Sequence, residues 1–164
     1  MAVTIAIETP LQDDVRALVK ALNAYLNPLS PPEFQFQMTV EQMAGEDTTV
    51  FIARDEAGKP VGMGAFKVFN SDLAEVKRMY TLPEVRGQRV GVALLQAIET
   101  LAREKRIGTL KLETGNVAGF EPARRLYERN GFTRCGAFLD YPDSQYSAFY
   151  EKALAQAPSE RVIP

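Results

Sequence analysis

The eight residues Arg86-Gly87-Gln88-Arg89-Val90-Gly91-Val92-Ala93 bring together two glycines, two arginines and the opening of an apolar helical repeat. Where a strand exit turns into a helix N-terminus, several backbone amides lack an intrahelical acceptor and, together with the helix dipole, favour an anion. Gly87 and Gly91 leave room for a diphosphate to approach the main chain, and Arg86 and Arg89 add positive charge at the rim. The segment reads as a diphosphate cradle; the plainer reading is an exposed loop whose glycines serve turn geometry alone. Neither G-x-x-x-x-G-K-[ST] nor G-x-G-x-x-G occurs in the chain, which weighs against mononucleotide and NAD sites.

Other chemistry is limited by what the chain lacks. It has no His, and its one cysteine, Cys135, can form no internal disulfide, so the usual cysteine and histidine metal sites are not available and no metal is expected. Without a His to activate it, Cys135 reads as a packing residue and not as an acyl-carrying nucleophile. A net charge of −2 supplies no broad cationic field, which argues against nucleic acid as the main ligand. The N-terminus lacks the pattern of a signal peptide, and no apolar run approaches the ~20 residues of a membrane helix, so a cytoplasmic protein with no membrane partner is expected.

With 164 residues, 46% of them hydrophobic and 24% charged, the chain should form one packed domain. Residues 1–154 carry the periodic patterns; residues 155–164 do not, and are expected to be a flexible tail. Val3 to Ile7 alternates like a strand. Thr9-Pro10-Leu11-Gln12 looks like a capped helix start, followed by Val15, Leu18, Val19, Leu22 and Leu26 on one face and an exit at Asn27-Pro28. Ser30-Pro31-Pro32 reads as a rigid extended connection, and Thr39 with Gln42 as the capping box of a short second helix. Thr49–Ala53 and Val61–Phe69 form a hairpin around 56–59, and Ala74–Leu82 is a further strand leading into the glycine-bearing loop. The helix after the loop runs through Leu94, Ala97, Ile98 and Leu101, with Gly108 as its stop. Thr109–Thr114 is a strand, Ala123–Asn130 a short helix stopped by Gly131, and Phe132 begins the terminal strands.

Gln88-x-x-Gly91-x-Ala93, preceded by Arg86-Gly87, resembles the Q/R-x-x-G-x-G/A signature of GCN5-related N-acetyltransferases (GNAT). Ala123-Arg124-Arg125-Leu126-Tyr127-Glu128-Arg129-Asn130-Gly131-Phe132 resembles the same family's A-x-x-L-Y-E-x-x-G-F segment. The stretches Leu112-Glu113-Thr114-Gly115 and Phe120-Glu121-Pro122-Ala123, with Asp140-Tyr141, look like a bacterial YsnE-like branch. The resemblance implies an α/β (mixed α+β) GNAT fold: a twisted mixed sheet of six or seven strands flanked by four helices, with coenzyme A entering between the fourth and fifth strands. It implies an acyl-CoA dependent N-acetyltransferase using acetyl-CoA as cosubstrate, with a homodimer as a family-based expectation; residues 25–43 and 138–146, which show neither a strongly acidic pocket nor a peptide groove, favour a small amine or amino acid as acceptor. Protein lysine or N-terminal acetylation, and a non-catalytic acyl-CoA sensor, stay open as alternatives.

The same resemblance assigns site residues. Met79, Tyr80 and Thr81 match the strand that offers backbone groups to pantetheine, with the Met79 N–H as oxyanion donor. Tyr127 matches the position whose phenol faces the coenzyme sulfur and would act as general acid. Glu75 matches a general-base position; strand parity would put it on one face with Lys77, Met79 and Thr81. Glu75 could equally be paired with Lys77 or Arg78, Glu113 is the alternative base, and an acceptor that loses its proton through water would need neither. Where many relatives have an Asn this chain has Phe120, with Asn116 four residues earlier, so the pantetheine contact made there differs. Acceptor recognition would fall to residues 25–43 and 138–146.

Overall fold

The computed structural model describes residues 2–154; the expected tail lies outside the described residues. Strands β1 (Thr4–Ile7), β2 (Thr48–Arg54), β3 (Pro60–Val68), β4 (Leu73–Thr81), β5 (Thr109–Gly115), β6 (Thr133–Cys135) and β7 (Ser147–Ala153) form one sheet in the order β1-β2-β3-β4-β5-β7-β6. Neighbours are antiparallel except β4 and β5, which are parallel. Helices α1 (Asp13–Leu26), α2 (Val40–Met43), α3 (Val90–Glu104) and α4 (Glu121–Arg129) complete the expected mixed sheet with four helices.

The period of two along the strands feeds two cores. Val50 and Ile52 of β2 meet Val15, Leu18, Val19 and Leu22 of α1 on one face, while Phe51 and Ala53 join α3 on the other. The second core is built from Leu94, Leu95 and Ile98 against Phe66, Val76, Leu110 and Leu112, with Tyr127 of α4 at its edge. Among the described residues no helix is long and apolar enough to cross a membrane.

Three expected boundaries shift, each for an identifiable physical reason. Helix α1 starts at Asp13, not behind a Thr9 cap: Thr9 Oγ1 accepts from the Leu11 amide, and Gln12 Nε2 donates to Glu8 and to the Thr9 carbonyl. Asp13 and Asp14 then meet the helix dipole, and Arg54 bridges Asp14 to Glu8, holding both carboxyls below their usual range. The extended connection at Pro31 turns at once into a 3₁₀ turn over Pro32–Phe34. Helix α3 is stopped not by Gly108 but by Arg106 in the left-handed region (φ 60°), with Ile107 N–H donating to Ala102 O and Arg106 N–H to Arg103 O. Gly108 instead passes so close to Asp72 that a Cβ would lie 2.1 Å from its Oδ1.

The Thr39 capping box is present in both directions, and α4 ends on Gly131 as expected. Gly131 has φ 91°, and the Phe132 amide reaches back to Tyr127 O at 3.0 Å. Replacing Gly131 with Ala forces a Cβ into that conformation and should lower stability by about 1–2 kcal/mol, seen as a lower urea midpoint. An unchanged midpoint would mean that this turn does not need the left-handed residue.

Candidate active site

Parallel pairing of β4 with β5 covers only Leu73–Glu75 against Thr109–Lys111. Beyond Glu75, β4 stays with β3 as far as Thr81, and β5 stays with β7 as far as Gly115, so the two strands part. A cleft of about 970 Å³ opens in the gap, walled by Val76 to Thr81 on one side and Glu113 to Gly115 on the other. The edge of β4 that faces it has no strand beside it, so main-chain groups there are available to a ligand carrying amides.

The parting is accompanied by a β-bulge. Ala65 is opposite Lys77 and Met63 is opposite Tyr80, so Gly64 faces both Arg78 and Met79. Arg78 takes φ 56°, a conformation that costs a non-glycine residue about 1 kcal/mol or more. Met79 crowds Gly64, its Sδ lying 2.5 Å from where a Cβ would stand, which is why the opposing residue carries no side chain. The extra residue reverses the alternation. Glu75 and Lys77 share a face as expected, but Met79 packs with the α3 core, while Tyr80 turns to the α1 side. The expected grouping of Met79 and Thr81 with Glu75 and Lys77 therefore fails at the bulge.

At one end of the cleft stands the N-terminus of α3. Its Ncap, Arg89, is left-handed (φ 64°) and no side chain caps the helix, leaving the first-turn amides of Val90, Gly91 and Val92 without an intrahelical acceptor. Arg86, Gly87, Arg89, Gly91 and Val92 line the cleft there. The Arg86 guanidinium lies over the rings of Tyr25 and Tyr80, at 5.5 and 6.0 Å, which holds its charge at the rim. Gln88, Val90, Ala93 and Asn116 are not part of the cleft wall. The Gln88 amide bonds Val85 O and its side chain turns to Glu84 O; Val90 packs into the core; the Ala93 amide closes the first helical bond to Arg89; Asn116 is exposed, its amide on Tyr146 O.

Phe120 and Tyr127 line the cleft near the split. Tyr127 is 6% exposed, and burial, reinforced by the charge of Glu113, pushes its phenol pKa well up, so it stays a hydrogen-bond donor at any ordinary pH. The two carboxylates on the α1 side differ. Glu75, 2% exposed, is 3.2 Å from Lys77 Nζ and accepts from the Tyr141 hydroxyl, which Lys77 also touches at 2.7 Å. Glu113 has its pKa pushed up to about 7 by burial, with the charge of Lys77 pulling it down and that of Glu75 pushing it further up. The Ser147 hydroxyl, though near, has no hydrogen-bond partner.

Three residues of the site escaped the sequence reading in these roles. Arg124 donates to Gly115 O and Val117 O, both at 2.9 Å, tying the end of β5 to α4. Tyr141 closes over Glu75, and Arg78 is drawn inside by the bulge. None has a spacing signature. Among the described residues no cluster of Cys, Asp or Glu could hold a metal.

Residues 46–134 match the model of the acetyltransferase (GNAT) domain. The chain belongs to the GNAT acetyltransferase family. It is similar to a protein named IAA acetyltransferase from Azospirillum brasilense, 39% identical over 153 residues that make up 93% of this chain and 98% of the relative. The N-acetyltransferase YsnE of Bacillus subtilis (strain 168) is 35% identical over 142 residues, 85% of this chain and 93% of its own, in keeping with the YsnE-like motifs. Among solved structures, an assigned acyl-CoA N-acyltransferase from Klebsiella pneumoniae superposes with a TM-score of 0.78 at 33% identity, over 93% of this chain and 98% of that one. The GNAT fold and the acetyltransferase class are thereby common to the sequence motifs, the sheet topology and the relatives.

Gly91 stands at the second helical position, where a Cβ would lie 3.3 Å from Leu126 Cδ2. A Gly91→Glu substitution should crowd that contact and set a negative charge in the anion site. The wild type should show a rise in melting temperature on addition of coenzyme A, and this variant none. An equal rise in both would place the diphosphate elsewhere.

Proposed function

We propose that this GNAT protein transfers the acetyl group of acetyl-CoA to the primary amine of a small acceptor, by direct attack within a ternary complex. The observation that carries the reading is the coincidence, in one cleft, of an uncapped 15-residue helix end and the unpartnered edge of β4. The residues suit the cosubstrate: amides of 90–92 with Arg86 and Arg89 for the diphosphate, and the β4 main chain for the pantetheine arm. Bound in that slot, acetyl-CoA supplies an acetyl group activated as a thioester.

The chain's own work is to orient and to move protons. The Met79 N–H, at the bulge, is the proposed donor to the carbonyl oxygen, where a fixed dipole is most effective as charge builds up. Tyr127, kept protonated by its burial, donates to the sulfur as it departs. For the amine proton, Glu113 suits the task better than Glu75. A carboxylate whose charge is already held by an ammonium and a phenol is a weaker base, whereas one poised near 7 is matched to proton uptake at neutral pH.

Release of free thiol from acetyl-CoA, screened across amines, tests the reaction; thiol release that depends on an amine and adds one acetyl group to it is the expected result. No release with any amine, together with no melting-temperature response to coenzyme A, would contradict the reading. Tyr127→Phe should lower kcat by about 10- to 100-fold and leave the KM for acetyl-CoA within about twofold, because only a hydroxyl is lost. Unchanged kcat would remove Tyr127 from the proton transfer. The wild-type kcat/KM should climb with pH as Glu113 ionises near 7, and Glu113→Gln should abolish that limb. Because the raised pKa means that the folded state resists ionising Glu113, its charge withdraws stability as pH rises from the ordinary carboxyl range through about 7. The Gln variant should thus also melt higher than wild type at pH 8, and a lower melting temperature there would contradict the assignment.

A further inference from the structure

Arg78 is a buried charged residue of the cleft that the reaction described above leaves unused. Its guanidinium was brought inside by the bulge, 9% of its surface remains exposed, and it lines the cleft. Nη2 donates to Asn23 Oδ1 of α1, and Nε is buried without a partner. Among the described residues no carboxylate pairs with it. Its pKa is lowered to about 10 by burial alone, with no acidic neighbour opposing, so it is still a full cation at neutral pH. Lys77, one residue earlier, is by contrast neutralised by Glu75.

A buried cation without an anion is costly, and a protein that also adopts a left-handed residue to hold it there shows a site built to receive one. A guanidinium favours planar anions such as carboxylate, which it binds with two parallel hydrogen bonds. The diphosphate does not need it, having the α3 amides, Arg86 and Arg89 at the other end of the cleft. The cleft that Arg78 lines also has Leu22 and Leu26 of α1, Phe34, Phe36 and Tyr146 in its wall, with Gln35 and Gln37 between them as polar members.

We infer that Arg78 binds a carboxylate of the acetyl acceptor, and that the acceptor is therefore an amino acid with an apolar or aromatic side chain. This rests on the acetyltransferase reading above and narrows it. The amine must then point from Arg78 toward Glu113 and the β4–β5 gap, with Phe34, Phe36 and Tyr146 covering the side chain. Arg78 is here a binding residue; it takes no part in proton transfer.

The test uses the full-length protein and matched triplets: phenylalanine, phenylalaninamide and phenethylamine, with the same sets for leucine and methionine. A melting-temperature rise with coenzyme A is recorded first, so that failure of the cofactor site is read separately. The free amino acid should be acetylated with a kcat/KM at least about 100-fold above its amide and its decarboxylated amine, because a site built to bond a charged group rejects analogues that leave it unpaired. Arg78→Gln should raise the acceptor KM about 10- to 100-fold while the acetyl-CoA KM holds, and Arg78→Lys should recover part of the loss. Comparable rates for the amide or the decarboxylated amine would overturn the inference, even if the Arg78 variants do not fold. So would an Arg78→Gln effect confined to the acetyl-CoA KM, or no acetylation of any of the three amino acids by a protein that binds coenzyme A normally.

Discussion

The strand pairing that ends at Glu75 is the constraint on which the rest of the molecule depends. A β4 that continued alongside β5 to Thr81 would satisfy its main chain within the sheet and leave no slot. The bulge at Arg78–Met79 adds local twist, and β5 is held on its other side by β7 and by Arg124, so the two strands cannot close on each other. The cleft is thus a property of the sheet itself, not of a loop laid over it. The N-terminus of α3 faces it because the short connection after β4 leads straight into that helix.

Charge is sorted along the cleft. Anion-binding groups collect at the α3 end, where Arg86 is fixed by two tyrosines; the middle holds Tyr127 and Glu113; the α1 side holds Glu75 and Lys77 as a closed pair with Tyr141. Pairing Glu75 with Lys77 leaves Glu113 as a carboxylate whose ionisation is opposed by burial, and it leaves Arg78 as a buried cation with no carboxylate beside it among the described residues. The cleft therefore presents a base from β5 and a counter-charge from β4, an arrangement suited to an acceptor with two charged ends.

Much of this was legible in the sequence because it rests on local chemistry. The Thr39–Gln42 box, the Gly131 stop, the heptad-like face of α1 and the glycine-bearing loop before α3 each depend on residues a few positions apart. Features decided by distant partners were not. Whether Arg78 is inside or outside depends on Gly64 across the β3–β4 ladder, and parity alone assigned Met79 to the wrong face. The α1 start moved because Glu8 and Gln12 are engaged with Arg54, 40 or more residues away in sequence. Arg106 as a helix stop gave no signal, since arginine rarely takes a positive φ while Gly108 was close at hand. Tyr141 and Glu75 meet only through the folding of residues 138–146 over the sheet.

A crystal structure of the protein with coenzyme A tests the central claim most directly. The account predicts the pantetheine arm lying between β4 and β5 beyond Glu75, and diphosphate oxygens within about 3 Å of the Gly91 and Val92 amides. Coenzyme bound outside that gap, or β4 and β5 paired through to Thr81 in its presence, would contradict it.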